Sequence, residues 1–181
     1  TYDKALVAHG QKHLASKFTP GVRFTTSDVG VAAATVSAML TGGQYPIRIG
    51  NVVSVHHRRQ SKVQDFDFSL DMLFAQFADT IKKLEGLLDL TLCYPVNAMT
   101  LACKKLAMPK AAAMEAIEMF RMAVGETPAS AHDVYMAMQE ILFILKTGHV
   151  PESKLLSVEE SIARALTLRW SDYDLPGAVS Y

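Results

Sequence analysis

The densest chemistry in this chain lies at residues 56–62, where His56, His57, Arg58 and Arg59 are consecutive and Lys62 follows. Planar guanidinium forks match phosphate oxygens, and a basic run on a rigid projection can follow a nucleic-acid backbone. The residues before it read as two β-rich runs flanking Gly50-Asn51, the signature of a two-residue hairpin. Such a hairpin brings Arg48, on its first run, beside the basic end of its second, and Arg23 extends the same patch. The expected nucleic-acid-binding set is therefore Arg48, His56, His57, Arg58, Arg59 and Lys62. Strand alternation splits the cluster, with His56 and Arg58 on one face and His57 and Arg59 on the other. The bland reading is a solvated end whose charges pair with Asp65 and Asp67. Proteins that bind single strands add aromatic stacking platforms to a positive groove, and only Phe24 and Tyr45 stand near this run.

The other chemistry-bearing residues have structural explanations. His9 and His13 are spaced i, i+4, a chelating distance on a helix, but no further ligand pattern accompanies them. Ser27-Asp28 lacks the glycine setting of a nucleophile elbow and reads as a helix N-cap. His132-Asp133 could orient an imidazole for acid–base work, yet aspartate in a first helical turn is already favoured by the helix dipole. Gly42, Gly43 and Gly50 form neither a GxGxxG motif nor a P-loop. Asp172 and Asp174 offer two carboxylates where a divalent cation needs more ligands, so a turn is expected. Cys93 and Cys103 form no CxxC pair and read as small buried apolar thiols in a reducing compartment. No catalytic residue, metal or cofactor is expected.

Positioning the basic run falls to the elements around it. Residues 2–17 carry a weak helical pattern, and residues 22–25 alternate as a short strand. Ser27-Asp28 then caps a small-residue helix over 29–40, followed by the hairpin. Phe66, Leu70, Leu73, Phe77, Ile81, Leu84 and Leu88 recur every three or four residues, an apolar stripe on a helix of about seven turns. Pro95 stops or kinks it, and Pro109 suits the first turn of a helix over 110–124 that Gly125 ends. Thr127-Pro128 opens another helix, with Gly148 at its C′ position. Ser157 and Glu160 make a capping box for a last helix that carries Trp170, its anchor to the core. Residues 175–181 read as an extended arm able to lie on a neighbouring subunit. The expected fold class is α+β: mostly helical, with a small antiparallel β-hairpin or sheet near the N-terminal third, in one globular domain over 1–181.

Composition narrows the function classes. The chain has 181 residues, half of them apolar and a fifth charged, which excludes intrinsic disorder. Eighteen Lys and Arg balance eighteen Asp and Glu, so the whole surface is not built for nucleic acid or anionic lipid, though a local patch is compatible with this balance. Zero net charge favours self-association, and nine methionines supply soft, adaptable surface. No apolar run approaches membrane-spanning length and no signal peptide is visible.

Several fragments taken together resemble a domain-of-unknown-function family of phage- and plasmid-encoded proteins. They are Ser27-Asp28-Val29-Gly30, the Val55-His56-His57-Arg58 strand leading into the long apolar-striped helix, Ala131-His132-Asp133-Val134-Tyr135, and the late Trp170. The resemblance covers most of residues 22–174 and implies a mobile-element or viral origin with no established catalytic residues. The function expected on these grounds is a non-enzymatic accessory protein that forms a homo-oligomer and contacts single-stranded nucleic acid, in the host cytoplasm or on the virion, with no membrane. The alternative is a structural or assembly protein of a virion or scaffold. An unrecognised enzyme is a third class, one that would need a pocket with perturbed groups.

Overall fold

Val36, Ser37, Ala38, Met39 and Leu40 are all buried, so this stretch has both of its faces covered. A strand buried on both sides shows a continuous apolar run in place of alternation. That run imitates a small-residue helix, and the structure corrects the helical reading over residues 34–40, while residues 29–33 lie outside the described residues. The computed structural model describes residues 18–25, 34–41, 46–55 and 63–181. Within them β1 (Thr19–Thr25), β2 (Ala34–Thr41) and β3 (Ile47–Val55) form a three-stranded antiparallel sheet in the order β1-β2-β3. The expected helix over 2–17, the His9/His13 pair, the Ser27-Asp28 cap and Tyr45 lie outside the described residues.

The expected two-residue turn at Gly50-Asn51 is corrected as well, because β3 continues through both residues. Val36 opposes Val53 and Ala38 opposes Ile49, so three residues of β3 face the single residue Ser37 of β2. Gly50 and Asn51 therefore build a bulge, the other common use of a glycine within a strand. The reversal between β2 and β3 falls between Thr41 and Pro46.

Two compact units divide the chain, Thr1–Lys82 and Lys83–Tyr181, and the division falls inside α1 (Val63–Asp89). Of the stripe predicted for this helix, Phe77, Ile81 and Leu84 are buried and Leu88 is half-buried, and Leu87 joins the buried face. With the N-terminal sheet and the helices that follow, the α+β, mostly helical class expected from the sequence is the one observed.

The C-terminal unit is built from α2 (Pro95–Lys105), α3 (Lys110–Val124), α4 (Ala131–Met138), α5 (Glu140–Thr147) and α6 (Glu152–Ala165). α2 packs on α3 and α4, α3 also packs on α4 and α5, and α6 closes on α5 and α4. A short ladder, β4 (Thr91–Leu92) with β5 (Ala129–Ser130), ties the chain after α1 to the start of α4. Met99, Tyr135, Met138, Ile141 and Trp170 fill the core between the helices. Trp170 sits in a 3₁₀ turn after α6 and is 1% exposed, the anchoring role expected of it.

Helix boundaries depart from expectation where a weaker signal wins. α4 starts after Ser130, not at Thr127-Pro128. Ser130 Oγ accepts from Asp133 N at 3.1 Å, and an Asp133 carboxylate oxygen accepts from Ser130 N at 3.1 Å. This is a capping box with Asp in place of Glu or Gln. α4 and α5, expected as one helix, separate at Gln139, whose N–H donates to Met136 O one residue short of the α-helical partner. α6 begins after Pro151, so Ser157 stands exposed within the helix and not at its cap. Gly148 has an ordinary φ of −78°, and the left-handed residue is its neighbour His149. Gly125 does end α3, at a φ of 61° that glycine adopts without strain.

The final eight residues lie along α2. Tyr94, the N-cap residue of α2, makes no side-chain cap, and Pro95 follows it. An Asp174 carboxylate fills the role from eighty residues away, accepting from Cys93 N at 2.9 Å and Tyr94 N at 2.6 Å. Carboxylates at helix N-termini satisfy orphan amides and the positive dipole end, contributing about 1 kcal/mol. Asn97 Nδ2 then donates to the carbonyls of Leu175 (2.7 Å) and Gly177 (2.8 Å), and Lys104 Nζ donates to Ser180 O at 3.0 Å. The Tyr181 hydroxyl donates to Met108 O at 2.7 Å. The arm read from the sequence is thus present, and here it is seated on its own chain. No helix among the described residues is long and apolar enough to cross a membrane.

Candidate nucleic-acid interface

The register of the N-terminal sheet sets where the basic run begins. Phe24 of β1 pairs with Val36 of β2, and Val36 pairs with Val53 of β3. Ala34 pairs with Val55, the last residue of β3, and His56 comes next in the chain. β1 therefore ends, β2 starts and β3 ends at one rim of the sheet. With strands about 4.8 Å apart, Phe24 lies about 10 Å across the sheet from the strand that leads into the basic run. Phe24 is 61% exposed and Val22, on the same face of β1, is 36% exposed. An exposed aromatic thus stands at the rim where β3 ends at Val55, one residue before His56 in the chain.

Arg48 is at the wrong end of the strand for this arrangement. It pairs with Met39, next to the start of β3, seven residues before Val55. At about 3.3 Å per residue the two ends are roughly 20 Å apart. Folding at Gly50-Asn51 would have doubled Arg48 back beside the basic end, and the bulge leaves it where it is. Its side chain is 5% exposed, with Nε lacking a hydrogen-bond partner. The structure does not bring Arg48 together with the end of β3. His56, His57, Arg58, Arg59 and Lys62 lie outside the described residues, between Val55 and Val63.

The other sequence candidates resolve into structure. Asp133 is spent in the α4 capping box and Asp174 on α2, while Asp172 sits in the 3₁₀ turn. Cys103 is buried as expected, and burial pushes its thiol up from 9.0 to about 12. Cys93 corrects the other half of that expectation, being exposed. Among the described residues no group of three or more His, Cys, Asp or Glu could hold a metal ion. Two open clefts, of about 280 and 410 Å³, flank the C-terminal arm. Arg121 pairs with Glu118 at 3.1 Å in the first, and the Asn97 amide serves the arm in the second.

Sequence reasoning missed the Asp174 cap and the exposure of Phe24 at the basic rim. A cap supplied from eighty residues away leaves no local spacing to find. The Phe24 juxtaposition depends on β2 being a strand, which its apolar run concealed. Comparison with known proteins finds no matching family model, no matching curated protein and no matching solved structure. The candidate interface therefore rests on the sheet register and on the residue types at 56–62 alone.

Proposed function

We propose that this protein self-associates and contacts single-stranded nucleic acid through the basic segment at 56–62, without catalysing a reaction. The observation that carries the reading is the exposed Phe24 at the rim where that segment leaves the sheet. Arg58, Arg59 and Lys62 supply phosphate contacts, and the Phe24 ring supplies a sequence-tolerant stacking face. An accessory role in a phage or plasmid setting comes from the sequence resemblance alone. A second reading, an assembly protein without nucleic acid, is favoured by the exposed methionines of α3: Met114, Met119 and Met122.

Replacing Arg58 and Arg59 together with alanine tests the lead reading. The expected outcome is weaker binding of a labelled single-stranded oligonucleotide, with the slope of log affinity against log salt reduced by about 1.4, from two lost phosphate contacts. An unchanged slope would remove the segment from the interface.

A further inference from the structure

The N-terminal sheet has two unlike faces. On β2, Val36, Ala38 and Leu40 alternate with Thr35, Ser37, Met39 and Thr41, so one face is apolar and the other carries hydroxyls. Register extends the second face to both neighbours: Arg48 of β3 pairs with Met39, and Arg23 of β1 pairs with Ser37. Arg48 is 5% exposed and Ser37 7%. The face is thus covered at these two residues, yet the sheet supplies no counter-charge, because β1, β2 and β3 contain no aspartate or glutamate. Arg48 Nε is buried without a hydrogen-bond partner. A lysine or histidine in that position could shed its proton on desolvation, whereas arginine stays charged. A buried charge without a partner is strongly destabilising, so Arg48 calls for an anion.

We propose that this face binds a small phosphate-type oxyanion, either free inorganic phosphate or the phosphate group of a small phosphomonoester, with Arg48 as its charge partner and Ser37 as a hydroxyl donor. A guanidinium edge presents two parallel N–H groups that fit two oxygens of one oxyanion. A tetrahedral anion then has oxygens left for a hydroxyl. Ser37 stands one strand over and two residues along from Arg48, roughly 8 Å between Cα atoms at ordinary sheet spacings, so one small anion reaches both. The site is distinct from the basic run, which follows Val55 at the opposite end of β3. Burial of Arg48 closes it to a nucleic-acid strand and selects a small ligand.

Isothermal titration calorimetry of the full-length chain tests this, with inorganic phosphate and glycerol phosphate as probes and ionic strength held constant with potassium chloride. The unaltered chain should bind at least one probe saturably, and the tighter of the two identifies the source of the phosphate group. Arg48→Met keeps the apolar stem and removes the charge, and should weaken binding about a hundredfold or more. Ser37→Ala should weaken it about tenfold, from one lost hydrogen bond to a charged group. Circular dichroism establishes that each variant is folded, and Ser37→Ala decides the matter should Arg48→Met fail to fold. No saturable binding of either probe to the unaltered chain would overturn the proposal. Unchanged affinity in a folded Arg48→Met or Ser37→Ala would overturn it too.

Discussion

Replacing Phe24 with alanine should weaken single-stranded oligonucleotide binding roughly five- to 150-fold, while leaving the salt dependence of binding where it was. The size follows from base–aromatic stacking, worth about 1–3 kcal/mol per base. Salt dependence stays because stacking releases no counterions, which only phosphate contacts do. The fold should tolerate the change, since a ring 61% exposed contributes little to the core. The two substitutions at this rim thus have opposite signatures. Arg58→Ala/Arg59→Ala flattens the slope, and Phe24→Ala lowers the affinity at every salt concentration. Equal affinities for the parent and Phe24→Ala would detach the aromatic from the site, and the reading would lose the observation that carries it.

The second large effect is on stability at alkaline pH. Cys103 is fully buried, and desolvation raises its thiol from 9.0 to about 12. Burial raises the Tyr135 hydroxyl as well, and raises Tyr181, with the neighbouring Cys103 adding to it. An unfolded chain ionises these groups at their ordinary values while the folded chain keeps the protons. The contribution of Cys103 is therefore complete below about pH 9 and is lost as pH rises toward about 12. One such group changes stability by about 1.4 kcal/mol per pH unit, or about 4 kcal/mol over the window. Urea unfolding from about pH 8 to about pH 11 should show stability falling steeply. Cys103→Ala should start less stable, from the cavity it leaves, and fall less steeply by about 1.4 kcal/mol per pH unit. Parallel curves for the two proteins would contradict the assignment.

What the sequence disclosed and what it concealed have separate physical causes. The α1 stripe was legible because seven apolar residues at helical spacing admit no other regular structure. α3 was legible because Pro109 and Gly125 bracket it. β2 was concealed because Val36–Leu40 is buried on both faces and so lacks the alternation of a half-exposed strand. Gly50-Asn51 misled because one dipeptide serves both a tight turn and a bulge, and the partner strand chooses between them. That choice matters to the candidate site, since the bulge carries Arg48 to the end of β3 opposite Val55. The arm at 175–181 was legible as an arm, but its seat on α2 was not. Its contacts bridge more than seventy residues.

The central claim is most directly tested by the affinity of the unaltered full-length chain for a labelled single-stranded oligonucleotide at low and moderate salt. Contacts from Arg58, Arg59 and Lys62 predict binding at low salt, with log affinity falling linearly against log salt at a slope of about −2. No binding at low salt would contradict the account and pass the lead to the assembly reading.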